Sequence, residues 1–207
     1  MRILGVDPGT LRTGVGLIEA QGNQYRLVHC EVIASKASKR IEERLLHIHQ
    51  KLLEIIAQYQ PSVAVLETVF FGRDLRAMVK IGEARACAML AASHSKLPLF
   101  EYAPARVKQA VSGNGRATKD QIQHMIQRLL NLKTLPPSDS ADALAVAICY
   151  LHTSRGLKSP PKRASSGRWS AEDVEALLQK RHLKQGDRGR ELGVSVRPTP
   201  ASQLLTP

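Results

Sequence analysis

Two short apolar segments, far apart in the chain, each end at a single carboxylate. Residues 3–6 run directly into Asp7, and residues 63–66 run directly into Glu67. Short apolar runs of this kind are typical of strands buried on both faces of an α/β sheet. If the two strands are parallel neighbours, their carboxyl ends meet at the edge where ligands bind in open α/β folds. We therefore expect Asp7 and Glu67 to lie at one edge of a sheet.

The order of the other predicted elements supports an α/β fold. Apolar and polar patterns predict strands at 2–7, 14–19 and 25–33, with the three forming an antiparallel meander. A long helix from residue 41 ends before Pro61, and a strand at 63–66 follows. Further elements are a helix over 74–93, a strand at 97–102, and helices over 104–111, 118–130 and 141–151, the last with Ser138 as its N-cap. We predict a five-stranded mixed sheet with helices on both faces, in one domain over residues 1–154.

The composition changes after this domain. Residues 159–167 are rich in Ser, Pro, Lys and Arg, as in a flexible basic linker, and residues 170–182 have the pattern of one short helix. From Arg155 onward there are eleven Lys and Arg against five Asp and Glu, which is half of the net charge of +12. We expect residues 155–207 to form a basic, largely flexible tail that adds non-specific affinity for DNA.

The positive charge indicates an anionic partner. A sequence pI near 10.0 favours a phosphate backbone, with a membrane surface as the competing partner. Against a membrane, no apolar run approaches the roughly 20 residues that span a bilayer, and the N-terminus has no signal-peptide pattern. We expect a cytoplasmic protein that binds nucleic acid and has no membrane partner.

A second acidic pair, Asp139 and Asp142, opens the last predicted helix and lies on one face about one turn apart. Four carboxylates at one place repel each other unless a cation lies among them, and oxygen ligands select hard ions such as Mg²⁺ or Mn²⁺. Two such ions about 4 Å apart support phosphodiester hydrolysis. Each acid alone also has a structural reading: Asp7 as a turn former, Glu67 as a surface charge, and Asp139 with Asp142 as a pair that neutralises a helix dipole.

With these acids in place, the chain closely resembles the RuvC family of Holliday junction resolvases. The matching segments are ILGVDPGTLRTGVG at 3–16, LETVFFGRD at 66–74, KIGEARA at 80–86, GNGRATKDQI at 113–122 and SDSADALAVAICY at 138–150. The resemblance implies an RNase H-like fold and a homodimer that makes paired symmetric nicks in four-way DNA junctions, with two Mg²⁺ ions per subunit. It also implies that the protein acts in recombination and DNA repair, with branch-migration proteins as partners. The cut ends are expected to carry 5′-phosphate and 3′-hydroxyl groups.

The resemblance also assigns roles to residues. Asp7, Glu67, Asp139 and Asp142 would be catalytic metal ligands, with Asp7 bridging both ions, and Lys119 would be the catalytic lysine. An amine at the start of a helix can stabilise charge that develops on a phosphate, although many surface lysines are merely solvated. Phe70 resembles a phenylalanine that stacks on a base at the junction centre. The residues expected to contact DNA are Phe70, Arg73, Arg76, Lys80, Lys108, Arg116 and Lys119.

Three alternatives remain open at this level. The Asp7-Pro8-Gly9 turn is also similar to the phosphate loop of actin-like kinases and chaperone ATPases, but that class needs two such domains and this chain has room for one. A junction-binding protein without catalysis would need only the charge. The Ala-rich helix over 74–93 is a candidate subunit interface, and packing on its own sheet is the alternative.

Overall fold

The computed structural model describes residues 1–22, 24–68 and 75–156. Within these ranges the chain forms five strands and five helices in a single α/β arrangement. The strands are β1 (Arg2–Asp7), β2 (Arg12–Gln21), β3 (Gln24–Ala34), β4 (Val63–Glu67) and β5 (Leu99–Tyr102). The helices are α1 (Ile41–Tyr59), α2 (Leu75–His94), α3 (Pro104–Ser112), α4 (Lys119–Leu129) and α5 (Ser138–Gly156). None of these helices has both the length and the apolar character needed to cross a bilayer.

The strands form one mixed sheet in the order β3-β2-β1-β4-β5. The predicted antiparallel meander of β1, β2 and β3 is confirmed. β1 and β4 are parallel neighbours, and β5 continues the sheet parallel to β4. The register pairs Val6 with Leu66, so both strands reach the same edge.

Each face of the sheet packs against its own set of helices. On β1 the side chains alternate, so that Ile3 joins one core and Leu4 and Val6 join the other. The first core contains apolar residues of α3, α4 and α5, including Val107, Ile126 and Leu144. The second contains those of α1 and α2. Helices on both faces are therefore confirmed.

The starts of three elements differ from the sequence prediction by two or more residues. β2 begins at Arg12 instead of residue 14, because Arg12 and Thr13 already pair with the end of β3. β5 begins at Leu99 instead of residue 97, because the amide of Leu97 donates to Ala92 O (2.8 Å) at the end of α2. Ser138 was wrongly predicted as an N-cap. It is the first helical residue of α5, and Pro137 O accepts the first helical bond from Ala141 N (2.8 Å).

The last described element reaches Gly156, two residues beyond the predicted end of the domain. The basic tail over 155–207 and the short helix over 170–182 stay predictions, since residues 157–207 lie outside the described part of the chain.

Candidate active site at the carboxyl edge of the sheet

Asp7 and Glu67 occupy equivalent positions at the ends of neighbouring strands. Asp7 is the last residue of β1, and Glu67 is the last residue of β4. Because Val6 lies opposite Leu66 in the parallel ladder, the two carboxylates follow at the same level. The structure therefore places both where the strand pattern predicted them.

Helix α5 brings the other two acids to this edge by packing unusually close to the sheet. A carbon added at Gly5 would overlap the carbonyl oxygen of Ala143, and one added at Gly14 would overlap that of Asp139. Gly14 is also the register partner of Asp7 in the antiparallel ladder. Only residues without a side chain allow this approach, and it fixes the first turn of α5 against the end of β1.

Three of the four predicted acids line one cleft. Asp7, Glu67 and Asp142 face a space of about 250 Å³, together with Lys108 and Lys119. The rest of the lining comes from α3, α4 and α5 and is mainly apolar: Pro104, Val107, Ile122, Ala145 and Val146. Asp139 lies beside the cleft and is paired with Arg12.

The cleft disfavours negative charge. Burial, followed by the charges of Asp142 and Glu67, raises the pKa of Asp7 from 3.8 to about 7, against an opposing effect of Lys119. Burial is also the main reason that the pKa of Glu67 is raised, and Asp142 raises it further. Carboxyl groups whose pKa is raised by burial and by neighbouring acids mark a place where a cation would be stabilised.

Lys119 is the nearest basic partner of the acids in this cleft. Its Nζ donates to Asp142 Oδ2 at 2.9 Å, and this hydrogen bond raises the pKa of the amine. Lys119 is the first residue of α4, directly after the N-cap Thr118. Thr118 and Gln121 form a capping box, in which the Thr118 side chain accepts from Gln121 N and the Gln121 side chain accepts from Thr118 N. The start of α4, and with it Lys119, is thereby held in place.

Arg12 is a residue of this edge that the sequence analysis did not single out. Its Nε donates to Asp139 Oδ2 at 2.6 Å. The predicted second strand begins only at residue 14, so residue 12 lies before it and no sequence signal places Arg12 near the start of the last helix. The signal that could have found it is the antiparallel pairing itself, which carries the first residues of β2 past the end of β1.

The donor set suits a hard divalent ion. The four acids offer only carboxylate oxygens, the ligands that Mg²⁺ and Mn²⁺ prefer. Among residues 1–22, 24–68 and 75–156, however, no three acidic, His or Cys side chains stand close enough to share one ion. Asp139 and Asp142 are engaged by Arg12 and Lys119 instead. The carboxylates are therefore suitable ligands for such an ion. To bind it, Asp139 and Asp142 would have to give up their ion pairs with Arg12 and Lys119.

Of the other residues expected to contact DNA, the structure describes Lys108, Arg116, Arg76 and Lys80. Lys108 lines the cleft, whereas Arg116 is exposed in the loop before α4. Arg76 and Lys80 are exposed on α2. Phe70 and Arg73 lie outside the described residues, as does the rest of 69–74.

Comparison with known proteins identifies the family. Residues 3–150 match the sequence profile of the family described as crossover junction endodeoxyribonuclease RuvC. A protein of that description from Citrifermentans bemidjiense is 48% identical over 155 residues, which are 74% of this chain and 93% of the relative. Another from Pelotomaculum thermopropionicum is 46% identical over 153 residues, covering 73% and 93% of the two chains.

Solved structures agree with the sequence comparison. The structure described as T. thermophilus RuvC in complex with a Holliday junction substrate has a TM-score of 0.73 and 33% identity, and the match covers 78% of this chain and 99% of that one. The yeast mitochondrial Holliday junction resolvase Ydc2 shares the fold, with a TM-score of 0.57 at 11% identity over 75% of this chain and 80% of that one. The predicted RNase H-like fold is confirmed. The chain belongs to the RuvC family of crossover junction endodeoxyribonucleases.

Proposed function

We propose that this chain is the endonuclease that resolves four-way DNA junctions by paired symmetric nicks, in recombination and DNA repair in the cytoplasm. The observation that carries the proposal is the cleft in which Asp7, Glu67 and Asp142 face Lys108 and Lys119 at the carboxyl edge of the sheet. Acids for metal ions and amines for phosphate at one place are what phosphodiester hydrolysis requires.

Nucleases of this family depend on divalent metal ions in general. For this chain we propose Mg²⁺, with Mn²⁺ as a substitute, and two ions per subunit. When bound, the ions would supply charge stabilisation for the attacking and leaving oxygens of the scissile phosphate. Asp7, Glu67, Asp139 and Asp142 would hold them.

The basic residues of the cleft act on the substrate. Lys119 reaches Asp142 at 2.9 Å, so its ammonium group lies within the acidic cluster and can neutralise charge developing on a phosphate there. Burial and the charge of Asp142 raise the pKa of Glu67, and the charges of Lys119 and Lys108 oppose that rise. Beyond the cleft, we propose that the phosphate backbone is held by Arg73, Arg76, Lys80 and Arg116, and that Phe70 stacks on a base.

A homodimer would supply the two active sites that paired nicks need, and helix α2 offers the surface for it. One face of α2 is buried on the sheet through Ala84, Cys87, Ala88 and Ala91. The opposite face is apolar and open: Val79 is 60% exposed, Leu90 is 61% exposed, and Gly82 and Ala86 lie between them. These four residues recur at helical spacing, so they form one stripe. Exposed apolar stripes of this kind mark interfaces, and we assign this one to a second copy of the chain.

Cleavage of labelled junctions tests the nuclease proposal. The full chain is incubated with a mobile four-way junction or with a linear duplex of the same sequences, in Mg²⁺ or in chelator, and both cut positions are mapped. We expect two symmetric nicks in the junction, in Mg²⁺ alone, with ligatable 5′-phosphate ends. Asp7→Asn should bind the junction and leave it uncut. Cleavage by this variant at the wild-type rate would remove Asp7 from the mechanism, and binding without cleavage by the wild type would favour a binding module.

Sedimentation of variants tests the dimer. Leu90→Lys places a charge at the C-terminal end of the α2 stripe and should shift the protein to monomers. Leu46→Lys is the matched control, because Leu46 is 56% exposed on α1. A Leu90→Lys protein that sediments like wild type would exclude this face as the interface. We also propose branch-migration proteins as partners, on the family resemblance, and co-sedimentation on junction DNA would detect them.

A further inference from the structure

The ion pair between Arg12 and Asp139 joins two elements at the rim of the cleft. Arg12 Nε lies 2.6 Å from Asp139 Oδ2, with the arginine side chain 58% exposed and the aspartate side chain 26% exposed. Arg12 is the first residue of β2, and Asp139 is in the first turn of α5. The pair is therefore formed at the edge of the sheet that carries Asp7 and Glu67.

The backbone at Asp139 has little freedom to move. Its carbonyl lies against Gly14, where there is no space for a further carbon. The next residue, Ser140, is fully buried, and its hydroxyl donates to Glu31 O at 2.9 Å. Because the backbone is held on both sides, the Asp139 carboxylate changes partner by rotation of its own side chain. It either faces Arg12 or turns toward the other acids.

Both acids of α5 form an ion pair with a basic side chain of the protein, whereas the two acids at the strand ends do not. Asp142 is paired with Lys119, and Asp139 is paired with Arg12. In the described part of the chain, neither Asp7 nor Glu67 forms an ion pair. Basic side chains of the protein thus neutralise the half of the cluster that α5 contributes.

We infer that Arg12 is a positioning residue that competes with a divalent metal ion for the carboxylate of Asp139. In the free protein it holds Asp139 beside the cleft, and an ion gains this ligand only when the Arg12 ion pair is released. The inference rests on the proposed metal-dependent function and adds a control of metal affinity to it. Arg12 itself is not among the residues that line the cleft.

Competition and a purely structural role predict opposite changes in metal affinity when Arg12 is removed. If Arg12 only stabilised the fold around Asp139, its removal would weaken metal binding or leave it unchanged. If it competes, its removal frees a ligand and also removes a positive charge that repels the ion, so metal binding becomes tighter. The ion pair is largely exposed, and exposed pairs contribute at most about 1 kcal/mol, so we expect Arg12→Gln to tighten binding by roughly two- to fivefold.

Mn²⁺ binding to the full chain without DNA tests the inference, measured by calorimetry and by the electron paramagnetic resonance signal of free Mn²⁺. Arg12→Gln should bind Mn²⁺ about two- to fivefold more tightly than wild type, and Arg12→Lys should bind it like wild type. Arg26→Gln is the matched control. Arg26 of β3 is also an exposed arginine in an ion pair with β2, through Glu19 at 2.7 Å, but this pair lies near the opposite end of β2 from Arg12. It should leave Mn²⁺ affinity unchanged.

The variant Asp139→Asn separates this inference from the proposed function. It should weaken the same Mn²⁺ site, and adding Arg12→Gln to it should then tighten Mn²⁺ binding less than Arg12→Gln alone does, because only the removal of the positive charge remains. Circular dichroism verifies that every variant is folded. Equal or weaker Mn²⁺ binding by folded Arg12→Gln would overturn the competition. Unchanged binding by Asp139→Asn would also overturn it, since Asp139 would be no ligand, whereas junction cleavage by the wild type would still support the proposed nuclease.

Discussion

The carboxyl group of Asp7 makes the stability of the metal-free protein depend on pH. Its pKa in the folded protein is about 7, against an ordinary value of 3.8. Because the folded state binds this proton more tightly than the unfolded state, the contribution to stability is complete below the ordinary value. It is lost as the pH rises through the folded pKa. At about 1.4 kcal/mol per pKa unit, full ionisation costs the fold about 4 kcal/mol.

Asp7→Asn removes this cost because an amide does not ionise in either state. In chelator near pH 8, we expect the variant to be more stable than wild type by about 2–4 kcal/mol, and by less than about 1 kcal/mol near pH 4. For a domain of this size the difference near pH 8 corresponds to a rise in Tm of about 5–10 °C. A substitution that abolishes cleavage should therefore stabilise the apoprotein.

Urea unfolding followed by circular dichroism, over a series of pH values with chelator, measures this difference. Asp120→Asn is the matched control, since Asp120 is exposed in the first turn of α4 and outside the acidic cluster. It should change stability by less than about 1 kcal/mol, through the helix dipole. Near pH 8, Mg²⁺ should stabilise the wild type, and it should stabilise Asp7→Asn by a smaller amount. If Asp7→Asn were less stable than wild type near pH 8, or if the difference between them did not change with pH, the reasoning from burial and repulsion would be wrong.

Three further substitutions test how the site is held together. Gly14→Ala should lower stability by about 1–3 kcal/mol in thermal unfolding, because its methyl group would overlap the Asp139 carbonyl; an unchanged Tm would contradict the close packing of α5. Thr118→Ala should cost about 1 kcal/mol by removing the cap of α4, whereas Thr118→Ser should cost little, and equal Tm values for both would exclude the capping box. Lys119→Met should slow junction cleavage about a hundredfold or more while junction binding in chelator weakens only a few-fold, and an unimpaired rate would remove the lysine from the reaction.

The pairing of Asp7 with Glu67 could be predicted because it depends on local signals. Each follows a short apolar run, and such runs form strands buried between helices. The one additional assumption is that the two strands are parallel neighbours, which the strand order confirms. The type of each element could likewise be predicted from the spacing of apolar residues, which repeats every 2.0 residues in strands and every 3.6 in helices. Only element boundaries such as the start of β2 were misplaced, because that start depends on pairing with a distant strand.

The orientation of Asp139 could not be predicted in this way. The spacing of three residues places Asp139 and Asp142 on one face of α5 but does not say which side chain enters a cleft. That depends on Arg12, a residue 127 positions away in the sequence, and on the close approach that Gly14 permits. Neither the ion pair nor the contact leaves a periodic pattern, so both appear only when the sheet and α5 are assembled.

The two ion pairs of α5 also account for how an acidic cluster exists in a protein without its metal. Four free carboxylates at one edge would repel one another, and the pKa values of Asp7 and Glu67 are raised first by burial and then by the charges of neighbouring acids. Lys119 and Arg12 neutralise the other two acids and thereby limit the cost to the fold. The same contacts must be given up when a metal ion takes their place, so whatever stabilises the free protein weakens its hold on the metal. A variant that lacks Arg12 should therefore bind Mn²⁺ more tightly and unfold more easily in chelator, and these two changes should occur together.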